Sequence, residues 1–340
     1  MNRFAVAQPR TYQEASTLLQ EKRFSLPMIK AGGMDVLDHL KEGLLAPDLL
    51  IDIRHLHQDE HGEDIFMLGG VDQKPQLHIE ATTTLSKIVG SGLIRKNAPV
   101  VMQALENAAT PQVRNMGTAA GNLLQRARCW YYRNDQFDCL KKGGPTCYAV
   151  AGENQYHAIF GDGPCHIVHP SNLAPALFVC DAIVHVIGGK RESLPIAELY
   201  HMPDKGVRSE HNLEPGEIVT HISLVPKSAS GFYSIKEKQS FDWPLAMAAA
   251  AIEMEGSTIK SARICAGAVA PTPWPLPKVE QALRGVNVDD EAALKKACEV
   301  AIEGAKPMSE NAYKLKLLPV AVRRAVMRAA GRLKDEEIEA

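Results

Sequence analysis

The first 60 residues alternate short apolar runs with amphipathic ones. Thr11 to Leu19 has helical spacing, with Thr11 placed as a cap and Glu14 three residues on, the pairing that satisfies orphan amides at a helix start. Pro27-Met28-Ile29-Lys30 is a strand-like run ending in Ala31-Gly32-Gly33-Met34-Asp35, and Val36 to Leu40 returns to a helical period. Leu49 to Ile53 reads as a buried strand. The order helix, strand, glycine turn, helix, strand predicts a small α/β unit.

Further strands are predicted at Phe66 to Gly70, Gln76 to Ala81, Ala182 to Ile187, Ile218 to Val225 and Ser261 to Val269. A helix starts near Thr84 to Val89, and Pro99 to Ala109 is a strong one, with Val100, Val101, Leu105 and Ala108 on one side. Pro226 to Gly231 breaks the pattern and marks a domain boundary. Beyond it come an alanine-rich run (Ala246 to Ile252), a proline-dense turn (Pro271 to Pro277) and two helices near 289–304 and 309–334. The last carries Leu317, Leu318, Val322 and Val326 inward and Arg323, Arg324, Arg328, Arg332 and Lys334 on what reads as a solvated face.

Composition narrows the class. At 340 residues the chain predicts two or three domains of roughly 100–200 residues each. Thirty-eight Lys and Arg against 40 Asp and Glu weigh against nucleic acid as the partner, since phosphate binding shows as a basic excess. No apolar run approaches the roughly 18 residues of a membrane span, and the N-terminus lacks a secretory signal, so a cytoplasmic protein without membrane insertion is expected.

The cysteines change the picture. Four of the seven, Cys129, Cys139, Cys147 and Cys165, fall within 37 residues at gaps of 9, 7 and 17, in a stretch rich in Gly and Pro that reads as loop. Two disulfides, a structural zinc, an iron–sulfur cluster and four unrelated buried thiols all compete, and spacing leaves them open. Cys180, Cys265 and Cys298 sit among apolar residues and are expected to pack.

Two glycine-bearing segments suit close approach to a phosphate or ring: Ala31-Gly32-Gly33-Met34, between a strand and a helix, and the run from Pro111 to Arg126, whose small residues leave backbone N–H groups accessible. Together they could grip one dinucleotide. Acid–base or nucleophilic catalysis finds little support: His55, His57 and His61 look like an exposed polar loop, and Ser171 like a turn or cap residue.

Ala31-Gly32-Gly33, Gln112-Val113-Arg114-Asn115, Thr118-Ala119-Ala120-Gly121-Asn122-Leu123-Leu124-Gln125-Arg126, His169-Pro170-Ser171, Leu173 to Leu177, Gly216-Glu217-Ile218 and Phe241-Asp242-Trp243-Pro244-Leu245 occur together here. With them the chain resembles the FAD-binding medium subunit of molybdenum hydroxylases of the xanthine dehydrogenase and carbon monoxide dehydrogenase type. The likeness is greatest to bacterial aldehyde oxidoreductases, and 4-hydroxybenzoyl-CoA reductase is also similar. The resemblance implies an α+β fold: a two-subdomain FAD-binding PCMH-type, vanillyl-alcohol-oxidase-like domain over 1–225 (subdomains about 1–60 and 61–225, Cys-rich insertion 127–168). A CO-dehydrogenase-flavoprotein-type C-terminal α+β domain over 230–335 would close over the flavin. It implies FAD on Ile29, Lys30, Ala31, Gly32, Gly33, Met34, Asp35, Val36 and Leu37, with Ala108, Gly117, Thr118, Gly121, Asn122, Asn172 and Val219, and a [4Fe–4S] cluster on Cys129, Cys139, Cys147 and Cys165. The chain departs from the family pattern at Met34, Asn172 and Ser234, the last having Lys236 and Lys238 nearby.

The role implied is electron transfer in a heterotrimer. A large subunit would hold the molybdenum cofactor, and a small [2Fe–2S] subunit would feed electrons through FAD to an external acceptor, in the periplasm if a partner subunit carries an export signal. The rivals are a zinc-stapled scaffold module without redox turnover and a self-sufficient FAD oxidase.

Overall fold

The computed structural model describes residues 3–57, 62–69, 75–238 and 241–333. His61, Gly70 and Lys334, named above, lie outside them. Three sheets organise the chain. Strands β1 (Ala5–Ala7), β2 (Pro27–Lys30) and β3 (Leu49–Asp52) form a parallel sheet in the order β1-β3-β2. Strands β4 (Ile65–Gly69), β5 (Pro75–Glu80), β6 (Ile183–Ile187), β7 (Ser193–Pro195) and β8 (Ile218–Leu224) form an antiparallel sheet in the order β4-β5-β8-β6-β7. Strands β9 (Ser230–Lys236), β10 (Pro244–Glu255), β11 (Thr258–Gly267) and β12 (Trp274–Pro275) form the third, in the order β12-β11-β10-β9. With helices packed on each, the architecture is the expected mixed α+β one.

The opening α/β unit forms as its sequence pattern predicts. Thr11 caps the helix Tyr12–Leu19 by accepting a hydrogen bond from the Glu14 amide at 3.1 Å, while the Glu14 carboxylate accepts from the Arg10 amide at 2.7 Å. The helix lays Tyr12 and Ala15 on Leu49, Ile51 and Ile53.

The alanine-rich run, which the sequence reading assigns to no element, is the centre of β10. Alanine favours helix intrinsically, and tertiary packing overrides that here. Ala246, Ala248 and Ala250 pack with the helix Lys314–Ala329, whereas Met247, Ala249 and Ala251 join the core beneath the second sheet. A strand buried on both faces needs side chains small enough for close approach. Gly231 on the adjacent β9 carries this to its limit, since an added Cβ would stand 2.6 Å from the Ala325 carbonyl oxygen and the Ala329 nitrogen.

The C-terminal helix starts at Lys314, later than the predicted 309, because Asn311 turns the chain there by accepting from the Met308 amide at 2.7 Å. Three of its arginines are less solvated than predicted: Arg323 pairs with Glu291 at 2.7 Å, Arg324 with the Tyr233 hydroxyl and Arg328 with the Phe232 carbonyl, whereas Arg332, past the helix end, is exposed as expected and pairs with Asp289 at 2.6 Å. Among the described residues no helix is long and apolar enough to cross a membrane.

One face of the five-stranded sheet carries a histidine stack. The rings of His185 and His221 lie 4.0 Å apart and near parallel, His78 stands 5.4 Å from His221, and Phe66 continues the row at 5.3 Å from His78. Burial, then mutual repulsion, lowers the pKa of His221 to about 3, and burial lowers those of His78 and His185 below the ordinary 6.5. A histidine held neutral in the folded state takes up its proton preferentially when unfolded. Its stabilising contribution is therefore complete above pH 6.5 and is lost as the pH falls below it. Urea unfolding between pH 7.5 and 5.5 should show the wild type losing about 1 kcal/mol per pH unit through this stack. Replacing all three by Phe should flatten that slope, and an unchanged slope would place the acid sensitivity elsewhere.

Candidate cofactor site

The first glycine turn lies where β2 ends and the helix Val36–Lys41 begins. Gly33 has φ +81°, in the left-handed region that disfavours side chains. Gly32 is buried, and a Cβ there would stand 1.7 Å from the Met116 carbonyl oxygen. The two glycine-bearing segments therefore touch, backbone against backbone. Among the described residues the main-chain N–H groups of Gly33, Met34 and Asp35 have no hydrogen-bond acceptor. A turn of unpaired amides entering a helix is a cradle for an anion.

The second segment behaves otherwise. It forms two short helices, Pro111–Met116 and Ala119–Leu123, the latter capped by Thr118, whose hydroxyl accepts from Gly121 N–H at 3.2 Å. The amides of Ala119, Ala120 and Asn122 are spent on Thr83, Ala81 and Thr118. The expectation that this run leaves its amides accessible is thus corrected: helix capping and strand contacts consume them. What it presents is an exposed Gly121 and a half-buried Asn122, whose amide oxygen accepts from Ser171 Oγ at 2.6 Å. Ser171 also caps the next helix through the Ala174 amide at 3.0 Å, in keeping with its reading as a cap residue.

The other residues named for the flavin are distributed unevenly. Gly117 accepts from the Leu85 amide. Ala108 is buried, and its carbonyl, with that of Ala109 (φ +49°), accepts from Arg114 at 2.9 Å. Asn172 is buried and donates to the Ala104 carbonyl at 3.2 Å, and Val219 is buried in β8. Lys30 is drawn to Asp52 at 2.9 Å. Ser234 is followed by Lys236, a half-buried cation whose Nζ donates to the Asn107 carbonyl at 2.5 Å, beside Ala108; Lys238 is exposed. His55 donates to the Pro9 carbonyl at 2.7 Å.

Asp35 does something the sequence did not suggest. Its carboxylate accepts from the Arg126 amide at 2.8 Å and pairs with Arg128 at 2.9 Å and Arg133 at 2.7 Å. Burial works to raise its pKa, but the two guanidinium groups and the amide outweigh it and hold the carboxyl below its ordinary range. Arg133 continues to Glu42 at 3.2 Å, Arg128 to Asp38 at 3.3 Å, and the His39 ring meets the Tyr132 hydroxyl at 2.9 Å. The first turn and its helix are thereby clamped to the Cys-rich segment. A second buried network, Glu210 with Arg126 at 2.6 Å and Lys141 at 3.0 Å, fastens that segment to residues 207–210.

Within this frame Cys129, Cys139, Cys147 and Cys165 line one cavity, walled also by Tyr131, Lys141 and His157. All seven cysteines are free thiols, and the remaining three, Cys180, Cys265 and Cys298, are buried in apolar packing as expected. The sulfurs are well supplied with donors: Cys129 takes the amides of Tyr132 and Tyr131, Cys147 those of His166 and Ala149, and Cys165 that of Ile167. A hydrogen bond between Cys147 and Cys165 leads in pulling Cys147 down to about 5 and pushing Cys165 up, so the pair shares one proton. Burial pushes Cys129 up to about 11. Among the described residues no three His, Cys, Asp or Glu side chains converge on a point where a single metal ion could bind.

Comparison with known proteins agrees with this architecture. Residues 2–228 match the FAD binding domain in molybdopterin dehydrogenase, and residues 231–329 match the CO dehydrogenase flavoprotein C-terminal domain. The chain belongs to this family of FAD-binding medium subunits of molybdenum hydroxylases and is an oxidoreductase subunit. It is similar to the aldehyde oxidoreductase FAD-binding subunit PaoB of Escherichia coli, 31% identical over 317 residues that cover 90% of this chain and 94% of that one. It is also similar to the carbon monoxide dehydrogenase medium chain of Afipia carboxidovorans, 27% identical over 90% of this chain and 89% of that one. In fold it follows Cu,Mo-CO dehydrogenase (TM-score 0.73, 23% identity, 98% of this chain and 99% of that one) and quinoline 2-oxidoreductase from Pseudomonas putida 86 (TM-score 0.73, 20% identity, 97% and 98%).

The clamp can be tested directly. Asp35→Asn leaves two largely buried guanidinium groups short of their counter-charge and should destabilise the chain by about 2–3 kcal/mol. Limited proteolysis should then cut preferentially within 127–168, and wild-type resistance there would show that the clamp is dispensable.

Proposed function

We propose that this chain is the FAD-binding electron-transfer subunit of a molybdenum-containing aldehyde oxidoreductase, and that Cys129, Cys139, Cys147 and Cys165 hold a [4Fe–4S] cluster in it. One observation carries the cluster reading: four cysteines without a close sequence pair line a single cavity furnished with N–H donors to sulfur. A mononuclear zinc asks four ligands to meet at one point, whereas a four-iron cluster takes one thiolate per iron and so suits sulfurs set around a volume. That favours iron over the zinc-stapled scaffold. The aldehyde class rests on the similarity to the Escherichia coli subunit.

For the flavin, the unpaired amides of Gly33, Met34 and Asp35 fit a pyrophosphate, with Ile29 to Leu37 forming its cradle. Gly117, Thr118, Gly121 and Asn122 would flank the cofactor from the second segment, with Ala108, Asn172 and Val219 behind them. The domain 230–335 would close over the flavin, with Lys236 brought against Asn107. When bound, the flavin converts two-electron into one-electron exchange, and the protein governs its access and potential. The subunit would stand between a small [2Fe–2S] subunit and an external acceptor, with a large molybdenum subunit oxidising the aldehyde in a heterotrimer. We assign it to the cytoplasm unless a partner exports the complex.

Anaerobically co-purified complex should contain one FAD and about four irons per copy of this chain beyond those of the small subunit. Stoichiometric zinc without iron would overturn the cluster reading. Cys147→Ser should lower that iron content, and Gly33→Val should lose flavin by straining the turn and blocking its amides. Full occupancy in either variant would remove the residue from its assigned role.

A further inference from the structure

His157 lies between Cys147 and Cys165, eight residues before the latter, and its ring reaches back to the first of the four cysteines: Nε2 stands 3.3 Å from Cys129 Sγ. The other ring nitrogen, Nδ1, is buried with no hydrogen-bond partner. A metal-bound thiolate can only accept. The contact is a hydrogen bond to such a thiolate when the proton sits on Nε2, as it does in the Nε2–H tautomer and in the charged ring. Apart from the thiol proton that Cys147 and Cys165 share, the other donors to these sulfurs named above are main-chain amides.

The ring is held for this contact. His157 N–H donates to the Asn154 carbonyl at 2.9 Å, and the His157 and Ala158 carbonyls both accept from Asn311 Nδ2 at 3.1 Å. Asn154 and Asn311 are completely buried, and Asn154 is itself tied to Ser309 and Glu310. Trp130 packs edge-on against the imidazole at 5.7 Å, and Tyr131 lies 6.2 Å away. Two buried asparagines, one of them from the segment leading into the last helix, thus fix one imidazole over one sulfur.

Building on the cluster reading above, we infer that His157 is a positioning residue that sets the reduction potential at Cys129 through an Nε2–H···S hydrogen bond. Adding one electron to the iron–sulfur unit adds negative charge that spreads onto its sulfurs, and a donor aimed at a ligand sulfur stabilises the reduced form more than the oxidised one. The contact raises the potential relative to an undonated thiolate.

The test uses the intact complex, with iron content and an EPR-monitored redox titration as readouts. His157→Phe, which fills the same space without a donor, should keep its iron and shift the midpoint of this cluster to a more negative potential. His157→Gln, which restores an N–H, should recover part of the shift. A His157→Phe complex with full iron and the wild-type potential would overturn the inference. Should that variant lose its iron, the wild type still decides: ¹⁵N-histidine labelling should give the reduced cluster a weak imidazole nitrogen coupling, whose absence overturns it. A wild type lacking this iron altogether would instead defeat the cluster reading itself.

Discussion

One carboxylate, that of Asp35, joins the two halves of the site. It lies in the turn that offers free amides, yet its own oxygens are given to Arg126, Arg128 and Arg133, which flank the first cysteine. In a partly buried setting such charge-assisted bonds are stronger than at a surface, and removing one partner leaves the others desolvated without compensation. The arrangement makes the glycine turn and the Cys-rich segment a single mechanical unit. Glu210 repeats the device on the far side, where its lowered pKa reflects Arg126 and Lys141 outweighing the effect of burial.

Close approach by small residues is the second recurring constraint. Gly32 lets the first turn rest on the Met116 carbonyl, Gly231 lets β9 lie against the final helix, and the alanines of β10 keep the third sheet thin enough to be covered on both sides. Interiors are packed at crystal density, so an extra methyl at such points displaces backbone rather than filling space. The C-terminal domain also meets the helix that ends at Glu106 and the Cys-rich segment. Lys236 touches the Asn107 carbonyl, Trp243 stacks under Arg128 at 5.1 Å, and Tyr156 donates to Glu237 at 2.8 Å.

Two buried lysines lie near the cysteine cavity. Lys141 is buried at its wall, and Lys314, fully buried, donates to the Tyr156 and Ala268 carbonyls close to His157. Burial lowers the Lys314 pKa to about 7. Lys141 works to lower the Cys165 pKa, but the Cys147 hydrogen bond and burial outweigh it, and its own charge is paired with Glu210 at 3.0 Å. Cys180, Cys265 and Cys298 sit among aliphatic side chains, and burial pushes the thiols of Cys180 and Cys298 up to about 12.

Local patterning sufficed for the opening α/β unit, for the Thr11 cap, for the glycine turn after β2 and for the grouping of four cysteines apart from three, because each depends on residues close in sequence and on chemistry that a side chain carries wherever it lies. The family was legible for the same reason, through short motifs. Other features depended on partners far away along the chain. Ala246 to Ile252 became a strand because the last helix covers one face and the core beneath the second sheet the other, and the amides of 119–122 were consumed by Ala81, Thr83 and Thr118. Nothing local to Asp35 or His157 announces that the first meets arginines some 90 residues on, or that the second lies over Cys129, held by Asn311. Those pairings exist only once folding has brought distant segments into one low-dielectric space, where an unpaired charge or amide is too costly to leave.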